Sequence, residues 1–310
     1  VHLGARVTVV DAADGERQRE RADVLEVVSA TVRLGDGDTL PDGADVLVVS
    51  PGLPPYAPVI VAAQAAVIPV WGELELAWRL RGPDAAPWLV VTGTNGKTTT
   101  TLMLESMLRA AGLRTTAAGN IGVSMVDTVM DPVGFDVIAV EVGAPQLPFL
   151  HSASPLASVC LNIAEDHVDL FGSFDAYKAA KARIYTGTQV AAVYNAADAE
   201  TLRMVEEADV VEGCRAVGIT LGVPARSELG VVDEYLVDRA FIENRADSAL
   251  EIARVDDVRP FAPHNVLNAL AAAALARAAG VPASAVREGL VSFQPAGHRT
   301  LRRRELHIRH

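Results

Sequence analysis

Ten consecutive residues, Val90-Val91-Thr92-Gly93-Thr94-Asn95-Gly96-Lys97-Thr98-Thr99, combine two glycines, a lysine and several hydroxyls where an apolar strand turns into a helix. Amides at a helix N-terminus direct N–H groups and the positive end of the helix dipole at an anion. Gly93, Thr94, Asn95, Gly96 and Thr99 are therefore read as a phosphate cradle, Lys97 as the cation reaching the β- and γ-phosphates, and Thr98 as a hydroxyl ligand of Mg²⁺. The alternative is a plain strand-to-helix turn. The spacing is unusual, because only Thr94 and Asn95 separate the two glycines where the common phosphate loop has four residues.

Other residues whose types suit chemistry lie downstream. Glu141 closes the apolar run Val137–Val140 and so belongs at a strand's carboxyl end, where ligands of open α/β sheets gather and an oxygen ligand for Mg²⁺ is expected. Ile163-Ala164-Glu165-Asp166-His167-Val168-Asp169 places acids around His167, which from its chemistry is equally well a satisfied structural histidine, since imidazole is an unusual ligand for so hard a cation. Lys178 and Lys181 lie three apart on one helix face, for which a solvated basic face is the ordinary reading. The chain holds only three lysines among 27 basic residues, however, and a position needing charge alone is otherwise filled by arginine. Gly119-Asn120-Ile121-Gly122 reads as a turn after a strand, and Asn265 as the N-cap of an alanine-rich helix.

The elements that must position these residues follow from apolar periodicity. Val7–Asp11 reads as a β-branched strand closing on an acid, and 45–49 as a second short strand running into Ser50-Pro51-Gly52. Helical spacing over Glu73–Leu80 precedes a break at Arg81-Gly82-Pro83. Strands are expected at 88–92, 136–142, 157–163 and 190–194, alternating with helices at 97–111, 174–185 and 265–279. That order predicts an α/β fold: a partial Rossmann-like N-terminal domain over 1–82, then a P-loop ATPase-like central domain over 83–299 with a mostly parallel sheet covered on both faces. Residues 300–310 read as a short arginine-rich tail. In a Rossmann-like unit the glycine turn precedes the acid by ~20 residues, and only ten residues precede Asp11. The expectation is a chain lacking parts of its first and last domains.

Half of the 310 residues are apolar, enough for a large core, and the formal charge of −12 offers no basic face to a nucleic acid. No apolar run reaches the ~18 residues that cross a bilayer. Cys160 and Cys214 have no metal or disulfide spacing and are read as structural. A cytoplasmic protein with neither nucleic-acid nor membrane partners is expected.

The GTNGKTT segment at Gly93–Thr99 after a strand resembles the ATP loop of the Mur ligases and the folylpolyglutamate synthetases, which activate a carboxylate as an acyl phosphate before an amine attacks it. The likeness to Mur ligases extends to the EDHxD segment at Glu165–Asp169, the GNIG turn, the HNxxNA run at His264–Ala269 and the pair His298-Arg299. It implies ATP and Mg²⁺ as cofactors, with Thr98, Glu141, His167 and Lys181 (the last as a carbamate) holding metal. It further implies Asn265 against adenine, Arg299 near the phosphates, Asn120 and Gln146 at the nucleotide-sugar, and Lys97, His167 and Lys181 as catalytic residues.

Within the family, SPG at Ser50–Gly52, the GELELAWRL run at Gly72–Leu80, GNIG and the Rossmann-like start most resemble the D-glutamate-adding branch. The implied partners are UDP-N-acetylmuramoyl-L-alanine and D-glutamate. Where that family reads ELSSFQL, this chain has Glu141-Val142-Gly143-Ala144-Pro145-Gln146-Leu147, retaining the acid and the glutamine while losing two hydroxyls and an aromatic. The competing readings are a folylpolyglutamate synthetase, disfavoured by the Rossmann-like start, and a non-catalytic nucleotide-binding remnant.

Overall fold

The computed structural model describes residues 3–166 and 168–295. The N-terminal portion consists of two short parallel pairs. β1 (Thr8–Asp11) and β2 (Thr31–Leu34) are joined by α1 (Glu16–Val27), and β3 (Leu47–Val49) and β4 (Val70–Gly72) by α2 (Pro58–Ala65). The two connecting helices are held differently. α1 carries no one-sided apolar stripe and buries no residue, whereas α2 buries Val59, Ile60 and Ala63 in a small core with Val49 and Val70.

α3 (Glu73–Leu80) follows β4 directly and carries a one-sided stripe of Leu74, Ala77 and Trp78. This stripe packs with Trp88, Val90 and Met125 of the following unit, and the Trp78 and Trp88 rings meet edge to face with centroids 4.9 Å apart. Burying such large side chains contributes about 1.5–3 kcal/mol each, which fastens α3 to the central sheet.

That sheet has nine strands among the described residues, in the order β13-β12-β11-β10-β9-β8-β5-β7-β6. They are β5 (Trp88–Thr92), β6 (Thr115–Gly119), β7 (Val137–Glu141), β8 (Ala157–Cys160), β9 (Ala191–Asn195), β10 (Arg215–Ile219), β11 (Glu228–Val232), β12 (Tyr235–Asp238) and β13 (Leu250–Arg254). From β6 across to β11 every pairing is parallel, while β12 and β13 add an antiparallel edge. The fold is thus α/β with a mostly parallel central sheet.

Alternation along the central strands loads both faces. Leu89, Val91, Ala139 and Val159 face α4 (Lys97–Ala110), α9 (Pro263–Ala278) and α10 (Ala283–Ser292). Trp88, Val90, Ile138 and Val140 face α3, α5 (Met125–Val129) and α8 (Ala199–Glu206). α6 (Val168–Phe171) and α7 (Phe174–Ala182) lie between β8 and β9 in the chain.

Several expected boundaries shift. The strand expected over 157–163 ends at Cys160, the last residue laddered to β5, after which residues 161–164 bond to the glycine loop instead. The helix expected over 174–185 closes as a 3-10 turn at Arg183–Tyr185. The helix expected from 265 starts at Pro263, whose fixed φ suits a first turn. Strands β10 to β13 were not read from the sequence. No described helix is long and apolar enough to cross a membrane.

Candidate active site

Three strands deliver the site to one end of the sheet. β5 runs into the glycine loop, β7 ends on Glu141, and β6 ends on the Gly119-Asn120 turn. These strands are parallel neighbours, so their carboxyl ends lie side by side.

Gly93 (φ 152°) and Gly96 (φ 86°) adopt backbone conformations that L side chains rarely take, and Gly96 sits directly before α4. A Cβ at Gly96 would also collide with Asn268 Oδ1, so the Asn268 carboxamide of α9 sits against the loop where residue 96 lacks a side chain. α4 has no side-chain cap, which leaves its N-terminal amides to bind an anion. Lys97 folds back over the loop, donating from Nζ to Gly93 O (2.9 Å) and Thr94 O (3.0 Å).

Glu141 is 1% exposed and accepts hydrogen bonds from Thr98 Oγ1 to Oε2 (2.8 Å) and from Asn120 Nδ2 to Oε1 (2.9 Å). Among the described residues it has no cation partner. An ionised group so deep in protein is costly unless compensated. A hydroxyl beside a buried, unneutralised carboxylate is an all-oxygen arrangement suited to a hard divalent cation. Glu141 also accepts the Asn120 amide at its backbone oxygen (2.9 Å), which ties the GNIG turn to the end of β7. Gln146 meets the same corner, its Oε1 accepting from Gly143 N (2.8 Å).

Lys181 is buried at 1% exposure, and its Nζ donates to the Gly93 carbonyl at 2.7 Å, the oxygen that also accepts Lys97. Burial pushes its ammonium down to about 8, the positive charge of Lys97 adding to the effect and the Cys160 and Asp166 groups opposing it. Lys178, by contrast, pairs with Asp175 (3.0 Å) and Glu200 (3.3 Å) and takes no part in the loop. Thus two lysines three apart on one helix have separate roles, one in an ion-pair network and one against the glycine loop.

Asn265 and Asn268 form a linked pair on α9: Asn268 Nδ2 donates to Asn265 Oδ1 (3.3 Å), and Asn265 Nδ2 donates to Pro260 O (2.9 Å). With Asn95, Gly96, Asn162, Asn195, Ile219, His264 and Leu267 they border a cleft beside the loop, lined by amides and aliphatic side chains. Thr99 lies in the first turn of α4. His167 and Arg299 lie outside the described residues, and among the described residues no three His, Cys, Asp or Glu side chains gather as a metal cluster.

Residues the sequence reading missed are Asn162, Asn195 and Tyr177. Tyr177 lies within 3.0 Å of the Thr94 hydroxyl, and Asn162 bonds both backbone groups of Asn95. An asparagine immediately past an apolar strand that ladders with the glycine-loop strand was the available signal for Asn162.

Residues 91–276 match the Mur ligase middle domain, and this span contains the glycine loop, Glu141, Lys181 and Asn265. The chain belongs to the Mur ligase family. A UDP-N-acetylmuramoylalanine–D-glutamate ligase of Streptomyces avermitilis is 59% identical over 297 residues, covering 96% of this chain and 64% of the relative. The enzyme of that name from Thermobifida fusca is 50% identical over 298 residues, covering 96% and 63%. The chain therefore spans somewhat under two thirds of the length of these curated relatives. Among solved Mur ligases, the UDP-N-acetylmuramate:L-alanyl-gamma-D-glutamyl-meso-diaminopimelate ligase of Neisseria meningitides superposes with a TM-score of 0.59 at 20% identity, over 95% of this chain and 92% of that one. A UDP-N-acetylmuramoyl-L-alanyl-D-glutamate–2,6-diaminopimelate ligase gives 0.58 at 17%, over 95% and 62%. These likenesses show the Mur ligase fold.

Proposed function

We propose that this chain carries the nucleotide and metal machinery of an ATP-dependent ligase that joins D-glutamate to UDP-N-acetylmuramoyl-L-alanine in peptidoglycan synthesis. The observation that carries the reading is the buried Glu141 carboxylate, held by Thr98 and Asn120 at the mouth of an uncapped glycine loop and lacking a cation partner among the described residues. The acceptor and donor identities are supported by the likeness to relatives of that name.

In this reading the α4 amides and Lys97 bind the phosphates, and Lys97 exchanges its two loop carbonyls for phosphate oxygens. Thr98 and Glu141 would hold Mg²⁺, which supplies charge neutralisation on the transferring phosphoryl group. An oxygen of the substrate carboxylate attacks the γ-phosphorus and ADP leaves. The amine nitrogen then attacks the acyl carbon, phosphate leaves, and the amine gives up a proton. Lys181, with an ammonium lowered to about 8, has a larger neutral fraction near neutral pH than an ordinary lysine. Neutral amine is the form that adds CO₂, so Lys181 is assigned as the carbamate-forming residue. Carbamylation leaves one N–H on Nζ, which is enough to keep its hydrogen bond to Gly93 O. His167 and Arg299 remain assigned to metal and phosphates from the family likeness.

Phosphate release from ATP tests the reading. Release that requires the nucleotide-sugar and rises with D-glutamate is expected. Release that ignores both substrates would contradict it.

A further inference from the structure

We infer that Asn162 is a positioning residue for the glycine loop, holding the loop crown in its anion-ready shape by acting as an extra rung of the β5–β8 ladder. The inference rests on the nucleotide-site reading above and adds a residue to it. Regular pairing of the two strands ends at Thr92 and Cys160, with Leu161 N still donating to Thr92 O (3.0 Å). Beyond that point Gly93 turns the loop away from strand geometry. Thr94 N donates to the backbone oxygen of Asn162 (3.1 Å), and the Asn162 carboxamide then takes both peptide groups of Asn95. Oδ1 accepts from Asn95 N (2.9 Å), and Nδ2 donates to Asn95 O (3.1 Å). Of the side chains short enough for this position, only a carboxamide offers an acceptor and a donor together in one plane.

This clamp has two consequences. The amides of Thr94 and Asn95 are committed to residue 162, so phosphate recognition falls to the uncapped amides that open α4. The clamp also stands on a fixed base: Asn195 Nδ2 reaches Leu161 O (3.4 Å), and Asp198 Oδ2 accepts from Ile163 N (3.0 Å). The Thr94 hydroxyl accepts from Ala164 N (3.0 Å), which joins the loop to the segment leading into Glu165 and Asp166. Residues 161–164 thus act as a template against which the loop is set before a nucleotide arrives, lowering the ordering cost of binding.

The test uses Asn162→Ala and Asn162→Ser, neither of which reaches both groups of Asn95. Two measurements are made on each full chain: amide hydrogen exchange at residues 94–97 without nucleotide, and titration with Mg-ATP. Exchange at Asn95 is expected to accelerate at least about tenfold while the central strands stay protected, and Mg-ATP affinity to fall by about ten- to a hundredfold, the range for a lost pair of hydrogen bonds. Unchanged exchange at Asn95 in a folded variant overturns the inference, whether or not nucleotide binds. If the parent chain itself ignores Mg-ATP, the nucleotide-site reading fails, and exchange still decides the role of Asn162. Loss of protection throughout the sheet in both variants would likewise overturn a role confined to the loop.

Discussion

Among the buried glutamates of this chain, Glu75 and Glu141 are treated in opposite ways. Glu75, on α3, is 0% exposed and accepts from His151 N (2.8 Å), Ser152 N (2.9 Å), Ser152 Oγ (2.6 Å) and Arg79 Nε (2.6 Å). Burial alone would raise its pKa, but the Ser152 and His151 donors and the guanidinium outweigh it and hold the carboxyl below its ordinary value. Glu141, at the carboxyl edge of the sheet, has two uncharged side-chain donors and no cation among the described residues. The first arrangement is complete and joins α3 to the turn at 151–152. The second meets no cation among the described residues, and it lies beside an uncapped helix and two lysines sharing one carbonyl oxygen. On the proposed reading, the difference separates a structural carboxylate from one placed to meet a cation.

The sharpest way to break this comparison is to remove the cation of the loop. Lys97→Met should weaken Mg-ATP binding by about a hundredfold or more, the scale of lost charge-assisted hydrogen bonds, with little change in melting temperature, as read by titration and thermal unfolding. Glu75→Gln should do the reverse. It leaves Arg79 without its acidic partner and should cost about 2–4 kcal/mol in denaturant unfolding, with Mg-ATP affinity unchanged.

The same contrast has a pH signature. Because the folded Glu75 carboxyl lies below its unfolded value of 4.5, its contribution is fully present above 4.5 and is lost as pH falls through the lower folded value. Unfolding midpoints of the parent and Glu75→Gln should therefore converge in acid. A smaller effect concerns Lys181. In chain exposed to ¹³CO₂, a carbamate signal absent from Lys181→Arg should grow as pH rises through about 8, as read by ¹³C spectroscopy.

The sequence carried the glycine loop, Glu141 and the exceptional lysine because each is written locally, as a strand followed by a chemical residue or as a rare residue type. The structure separates Lys181 from Lys178 through burial, which helical spacing cannot reveal, since both lie on nearly the same face. Asn162 was overlooked for a related reason: its position past an apolar strand was visible, but its partner is the backbone of Asn95, 67 positions away, and side-chain types say little about main-chain partners. In the fold, the helix-flanked strands around β5 were readable from long apolar runs. The edge from β10 to β13 was not, because its strands carry polar residues such as Arg215, Glu228, Asp238 and Glu251 among the apolar ones, and no helix separates β10, β11, β12 and β13 from one another. Glu75 was visible as part of a helical stripe, yet its burial against His151 and Ser152 depends on a contact between distant segments.

The most direct measurement is Mg²⁺-dependent ATP binding by the parent chain, Glu141→Gln and Glu75→Gln side by side. If Glu141 faces the metal, the parent and Glu75→Gln bind ATP more tightly with Mg²⁺ than without it, and Glu141→Gln loses most of that gain while remaining folded. Full Mg²⁺ dependence retained in Glu141→Gln would contradict the assignment of the buried, unneutralised carboxylate to the metal site.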